Sequence, residues 1–288
     1  MRNTRTLFIA TFALLTATIN AQTTKTISGF HHVESITTDG KFLYCADIGK
    51  ELNPTAKDSD GKIIKLDLNG KIIDSTFVKE KLDSPKGLTI ANGILFAADV
   101  DRIVAIDLKT GNKSYEIPFT DGVSFLNDIT VVDKNTAYVS ATDKNKIFKV
   151  NLAAKTYSEL VIGKTIAGVN GLFYDKTSNR LYVNGFGADN KPNGIIGFID
   201  LSNNKFTRLA TIEGYFDGIW LVNETLYTSN WVSFEKKGVI QTINIKTGNV
   251  SAVQLKEPIA GPADFTITKD RIIVPEMMSG NILLIDLK

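Results

Sequence analysis

Cysteine is nearly missing from this chain. Cys45 is the only one in 288 residues, so no disulfide can form within it. Its setting, "FLYCAD", alternates like a strand and marks it as a small buried apolar residue. Histidine is just as scarce, with His31 and His32 alone. An excess of positive charge is lacking too. Without Arg2 and Arg5, 31 basic residues face 31 acidic ones, dispersed as Lys/Asp pairs in turns. A nucleic-acid partner, which needs a basic stripe, is therefore excluded. No segment holds a helical period, which removes the two-domain α/β architectures, and no Pro/Ser-rich break marks a linker. The apolar run Leu7 to Ile19 is short, follows Arg2 and Arg5, and leads to "INA" before Gln22. That pattern predicts a signal peptide over residues 1–21, export to the periplasm or medium, and no membrane span in the mature chain.

What the sequence does contain is one phrase repeated six times. "ESITTDGKFLYCAD" starts at Glu34 and "KGLTIANGILFAAD" at Lys86. "NDITVVDKNTAYVS" starts at Asn127 and "NGLFYDKTSNRLYVN" at Asn170. "DGIWLVNETLYTSN" starts at Asp217 and "ADFTITKDRIIVPE" at Ala263. Each reads as strand, polar turn, strand, with β-branched and aromatic residues at alternate positions. A third strand follows, as in "GKIIKLDL" or "GNILLIDL", and commonly a fourth after a turn such as "KTGN". The starts lie 41 to 52 residues apart, the period of a propeller blade. The expected fold is all-β, a six-bladed propeller over residues 22–288. Its last blade stops at three strands, so the segment Thr23 to Phe30 is expected to supply the fourth by pairing with Asn281 to Leu287.

Inner strands line the tunnel of a propeller, so their first residues converge on one ring. That ring is Glu34, Lys86, Asn127, Asn170, Asp217 and Ala263. The residues closing the second strands, Asp47, Asp99, Ser140, Asn184, Asn230 and Glu276, form another polar set outside it. Two carboxylates and two amide oxygens facing one point make an oxygen-only ligand set suited to calcium, with magnesium, manganese and zinc as alternatives. The competing reading is a polar, water-filled tunnel in which Lys86 neutralises Glu34 or Asp47. His32 shares a side with Glu34 and overlooks the site, and Trp231 is placed to floor a pocket. The connection "IGKELNPTAKDSDGKI" is the candidate lid.

The six blades, with "LNDI" at Asn127, "VNGL" at Asn170 and "FDGI" at Asp217, resemble the gluconolactonase, regucalcin and strictosidine synthase-like superfamily. Paraoxonases and diisopropyl fluorophosphatase are more distantly similar. The resemblance implies a catalytic metal on Glu34, Asn127, Asn170 and Asp217. It departs at Phe125, where the sugar lactonases carry an arginine, and at Lys86, where paraoxonases carry a histidine. A glutamate-bearing loop is also missing, since "SATDKNKIF" turns directly. The implied activity is metal-dependent hydrolysis of a lactone or related ester by a monomer, with Asp217 and Lys86 as the catalytic candidates. The substrate pocket would take in His32, Asp47, Asp99, Asn184, Asn230, Trp231 and Glu276. A non-catalytic module that binds a ligand or partner, with a structural metal or none, is the alternative, and condensation chemistry through Glu276 a third.

Overall fold

Alternation writes the strands, and short polar side chains write the turns between them. Asp67, Asp107, Asp200 and Asn244 each accept a hydrogen bond from the amide two residues on, closing the same outer turn in four of the repeats. The computed structural model describes residues 21–287, so the expected signal peptide lies almost wholly outside the described residues. Within them, six four-stranded antiparallel sheets follow one another. Blade one is Val33–Thr38, Phe42–Asp47, Lys62–Asp67 and Ile72–Asp74. Blade two is Pro85–Ala91, Ile94–Asp99, Arg102–Asp107 and Lys113–Pro118. Blade three is Leu126–Val131, Thr136–Ala141, Lys146–Asn151 and Thr156–Glu159. Blade four is Val169–Asp175, Arg180–Gly185, Ile196–Asp200 and Lys205–Arg208. Blade five is Phe216–Val222, Thr225–Asn230, Val239–Asn244 and Val250–Ala252. The fold is a six-bladed β-propeller.

Blade six is assembled from both ends of the described chain. Its inner strand Thr266–Ile267, then Arg271–Glu276 and Asn281–Asp286, come last, and Thr24–Ser28 adds the outer edge. The pairing runs from Thr24 opposite Ile285 to Ser28 opposite Asn281, within the expected register. Closure leaves no inner or central strand without a neighbour, which is what an open array could not achieve.

The core lies between blades, where facing strands interdigitate apolar side chains. Tyr44, Ala46 and Ile63 of blade one meet Leu88, Leu95 and Val104 of blade two. Cys45 is buried between blades one and six, beside Ile36, Ile64, Ile273 and Ile282, as its alternation implied. No helix among the described residues is long and apolar enough to cross a membrane.

Candidate metal centre at the tunnel mouth

Five inner strands begin with the same irregularity. Each carries one extra residue where it leaves the mouth and joins its partner. The register slips between Val33 and Ser35, Pro85 and Leu88, Leu126 and Ile129, Val169 and Leu172, and Phe216 and Ile219. These are β-bulges, which release a residue from the ladder and re-aim its side chain. The residues at these bulges include Glu34, Lys86, Asn127, Asn170 and Asp217, five members of the ring read from the repeat. All five are buried.

Glycine follows three of them, and close approach requires it. A Cβ on Gly171 would sit 2.3 Å from the Asp217 carbonyl oxygen, and one on Gly87 2.5 Å from the Asp128 Cα. Each glycine therefore lets one blade's bulge nest against the next.

The four proposed ligands share a property that few other buried groups have. Among the described residues, six buried side-chain polar atoms lack a hydrogen-bond partner. Four of them are Glu34 Oε2, Asn127 Oδ1, Asn170 Oδ1 and Asp217 Oδ1. Buried oxygens are ordinarily satisfied, because desolvating one without a partner costs about 1–3 kcal/mol. Two of the side chains are also oriented by their other atom. Thr142 Oγ1 donates to the Val169 carbonyl at 2.8 Å, so it can only accept from Asn127, at 3.2 Å from Nδ2. That fixes which end of the Asn127 amide is the orphan oxygen. The Trp231 Nε1–H donates to Asp217 Oδ2 at 3.1 Å and leaves Oδ1 over. An oxygen set of two carboxylates and two oriented amides fits a hard divalent cation.

The charges tell the same story. Burial, and then the charge of Asp217, hold Glu34 well above the usual carboxylate range. Burial and the charge of Asp264 do likewise for Asp217. Two carboxyls that resist ionisation are stabilised by a cation between them.

Lys86 does not supply that cation. Its ammonium is held by the carbonyls of Pro54 and Ser84, both at 2.8 Å, and the expected pair with Glu34 or Asp47 is not formed among the described residues. Asp47 instead lies 3.8 Å from Lys62 and 3.7 Å from His31. Burial pushes Lys86 down to about 8, against the opposing pull of Glu34 and Asp99. The carbonyl of Pro54 belongs to the candidate lid, so Lys86 pins that loop to the ring. Ser84 Oγ adds a bond to the Asn53 carbonyl at 3.0 Å. The lid's "DSDG" is a turn, since Asp58 accepts from the Asp60 amide and Asp60 from the Lys50 amide.

The outer polar set serves the frame. Asp47 accepts from the amides of His31, His32 and Gly49. Asp99 accepts from those of Asp83 and Ser84 and from Arg102. Ser140 Oγ takes the Asp128 amide, and Asn184 joins the Gly171 amide to the Asp217 carbonyl. Asn230 holds Gln241 and the Val232 amide, and Glu276 holds the Ala260 amide and Asn281. These side chains, all but Ser140 expected in the substrate pocket, brace the bulges and mouth loops with the polar atoms a ligand would need. His32 stands nearer the site in character. Its Nδ1 lies 3.1 Å from the Met277 carbonyl, which can only accept, so Nδ1 carries a proton.

Two acids were missed by the sequence reading. Asp128 and Asp264 follow Asn127 and Ala263 directly and are buried. Asp128 accepts from the Ile129 and Leu172 amides, and Asp264 from Ser35 Oγ at 2.6 Å. Ser35 in turn accepts from the Leu88 amide, so these residues stitch neighbouring blades below the ring. Burial raises Asp128 well above its usual range and Asp264 to about 7. Both line a tunnel cavity of about 180 Å³ with Thr37, Thr89 and Thr130. The signal was one column further along the repeat, where the other blades carry Ser35, Gly87, Gly171 and Gly218.

No protein-family model and no curated protein sequence matches the chain. Solved structures do. A chain of a nidogen/laminin complex has a TM-score of 0.63 and 15% identity, over 90% of this chain and 90% of that one. Virginiamycin B lyase from Staphylococcus aureus has a TM-score of 0.63 and 15% identity, over 92% and 99%. Hydrazine synthase from Kuenenia stuttgartiensis has 0.59 and 13%, over 91% and 77%. At such identities the likeness is one of fold.

Proposed function

We propose that this chain is a metal-dependent hydrolase of a lactone or related ester, akin to the gluconolactonase and regucalcin-like propellers. The observation that carries the reading is that four buried oxygens, on Glu34, Asn127, Asn170 and Asp217, at the bulged starts of four inner strands, lack any hydrogen-bond partner. These residues would hold a divalent cation, calcium best matching the set. When bound, the ion supplies Lewis-acid polarisation of the substrate carbonyl.

The chain's own groups do the rest. Asn127, locked by Thr142, and Asn170 would hold the ion through their side-chain oxygens and so set where the substrate carbonyl lies. Asp217, oriented through Oδ2 by Trp231, takes the proton of the attacking water at that oxygen. Lys86 supports the lid through Pro54 rather than touching the reacting atoms. His32 forms the wall, held through Nδ1 by the Met277 carbonyl. The substrate is a small molecule, the protein a monomer, and the site of action outside the cytoplasm if residues 1–21 are cleaved.

A binding module without catalysis is the second reading. Phe125, where sugar lactonases place an arginine, favours it, as does the near-complete burial of the four ligands. Melting the purified protein with calcium, magnesium, manganese, zinc or chelator separates the two, alongside hydrolysis of simple lactones. Cation-dependent stabilisation together with cation-dependent hydrolysis is expected. If no cation and no chelator moves the melting point, the metal centre is refuted and the binding module takes its place.

A further inference from the structure

We infer that the mouth carries an aromatic subsite beside Asp217 that receives a flat apolar substituent of the substrate; this rests on the hydrolase reading above. Its anchor is Trp231, whose indole N–H donates to Asp217 Oδ2, so the edge of an aromatic wall meets a proposed metal ligand. The wall is continuous. Phe186 meets Trp231 edge-on with ring centroids 5.4 Å apart, and Phe234 meets it at 6.0 Å. Tyr215 lies 5.1 Å from both Phe186 and Phe234. On its outer side the wall stays open to water: Phe234 is 50% exposed, Val232 44% and Met278 39%.

Local backbone builds this arrangement. Val232 is a β-branched residue at φ 62°, a region such residues avoid, and its amide is held by Asn230 Oδ1 at 2.9 Å. The corner keeps Trp231 buried while Val232 and Phe234 remain exposed. Gly261 leaves Trp231 and Met278 together, since a Cβ there would lie 3.1 Å from the indole and 2.6 Å from Met278 Cγ. The charges beside the wall are paired with one another, Lys236 with Glu257 and Lys237 with Glu235.

Across the ring the surroundings are also poor in polar donors. Phe125 lies under Lys86, ammonium to centroid 5.2 Å, and two of the three Lys86 donors are taken by backbone. A polyhydroxylated ring would find few partners here. A substrate presenting its carbonyl to the metal centre and an aryl or similarly flat group to Phe234, over the buried Trp231, would find both. Aromatic contacts of this kind favour the aryl compound by about tenfold.

The test uses ketones, which cannot be hydrolysed: 3-phenylcyclopentanone against cyclopentanone, titrated calorimetrically into the calcium-supplemented full chain. The phenyl compound is expected to bind about tenfold tighter. Phe234→Ala, at a half-exposed position, should abolish that preference without lowering the melting point, and Phe234→Tyr should restore it. Equal affinities for the two ketones, or a preference untouched by Phe234→Ala, would overturn the subsite. So would a dimer in sedimentation that Phe234→Ala dissolves, because the wall would then belong to a second copy. Hydrolysis of γ-phenyl-γ-butyrolactone and glucono-δ-lactone is followed separately. A phenyl preference without hydrolysis of either removes the hydrolase reading and leaves the subsite. Hydrolysis without a phenyl preference removes only the subsite.

Discussion

Asn170 shows what a single buried amide can report. Its side-chain oxygen is buried and without a partner at the start of an inner strand, as are those of Glu34, Asn127 and Asp217 at the starts of three others. Asn170→Leu roughly keeps the shape and removes one ligand. Metal affinity should fall by about one to two orders of magnitude. Calcium titration followed by thermal melting reads the change, since a ligand of the folded state raises its melting point by mass action. An undiminished calcium response in the variant would remove Asn170 from the centre. Lys86 poses the opposite case, a buried cation satisfied by two carbonyls. Lys86→Met leaves those carbonyls unpaired, at a cost of about 1–3 kcal/mol in the metal-free protein. It also removes a positive charge that attracts Glu34 and repels a divalent ion, so at a pH high enough to ionise Glu34 calcium should bind more tightly. Weaker calcium binding in that variant would place Lys86 in the chemistry rather than in the lid's support.

At the scale of elements, the bulge at the head of five inner strands is the device that makes a site out of a ladder. A regular strand would alternate its side chains between the two neighbouring blades, whereas the extra residue redirects one of them. The closing strand does comparable work for the ring. Thr24–Ser28 is only five residues long and mostly exposed, yet it completes blade six against Asn281–Asp286. A chain beginning at His31 should lose most of its cooperative melting transition, because Ile282 and Leu284, which pack in the blade one–six core, would lose the strand that covers their edge. A truncated chain that melts like the parent would show that closure rests on the inner strands alone.

For the whole molecule, the acids of the tunnel set a pH dependence whose sign can be worked out. Asp264 is raised to about 7 in the folded state from the usual 3.8, with Glu34, Asp128 and Asp217 raised in the same direction. Between those values the folded state holds a proton that the unfolded chain has released. Stability is therefore fully present below about pH 4 for this group and declines as pH climbs towards 7. Chelated protein should melt lower at pH 8 than at pH 5. Calcium should restore the difference at pH 8 and do little at pH 5, where protons compete for the carboxylates. Melting curves at both pH values, with calcium and with chelator, check this; a chelated protein that is more stable at pH 8 would contradict it.

The sequence by itself determined the number of blades, the strand order within each and the identity of the mouth ring, because strand period and repeat period are local and survive in one dimension. It also determined the closing partner, since a last blade one strand short has one candidate to fill it. Only the tertiary structure decided which polar residues are free for a ligand. Asp47, Asp99, Asn184, Asn230 and Glu276 look like the ring residues in the repeat, yet their polar atoms are committed to loop amides and neighbouring side chains. Glu34, Asn127, Asn170 and Asp217 each keep an orphaned oxygen. That distinction depends on partners far away in the chain, such as Ser35 with Asp264 or Asn184 with Asp217. The placement of Lys86 is of the same kind, for charge pairing suggested Glu34 while the lid's carbonyl, 32 residues away, won the ammonium. Hydrogen bonds are satisfied in space, so a repeat can name the candidates and only the closed ring can say which of them remain unpaired.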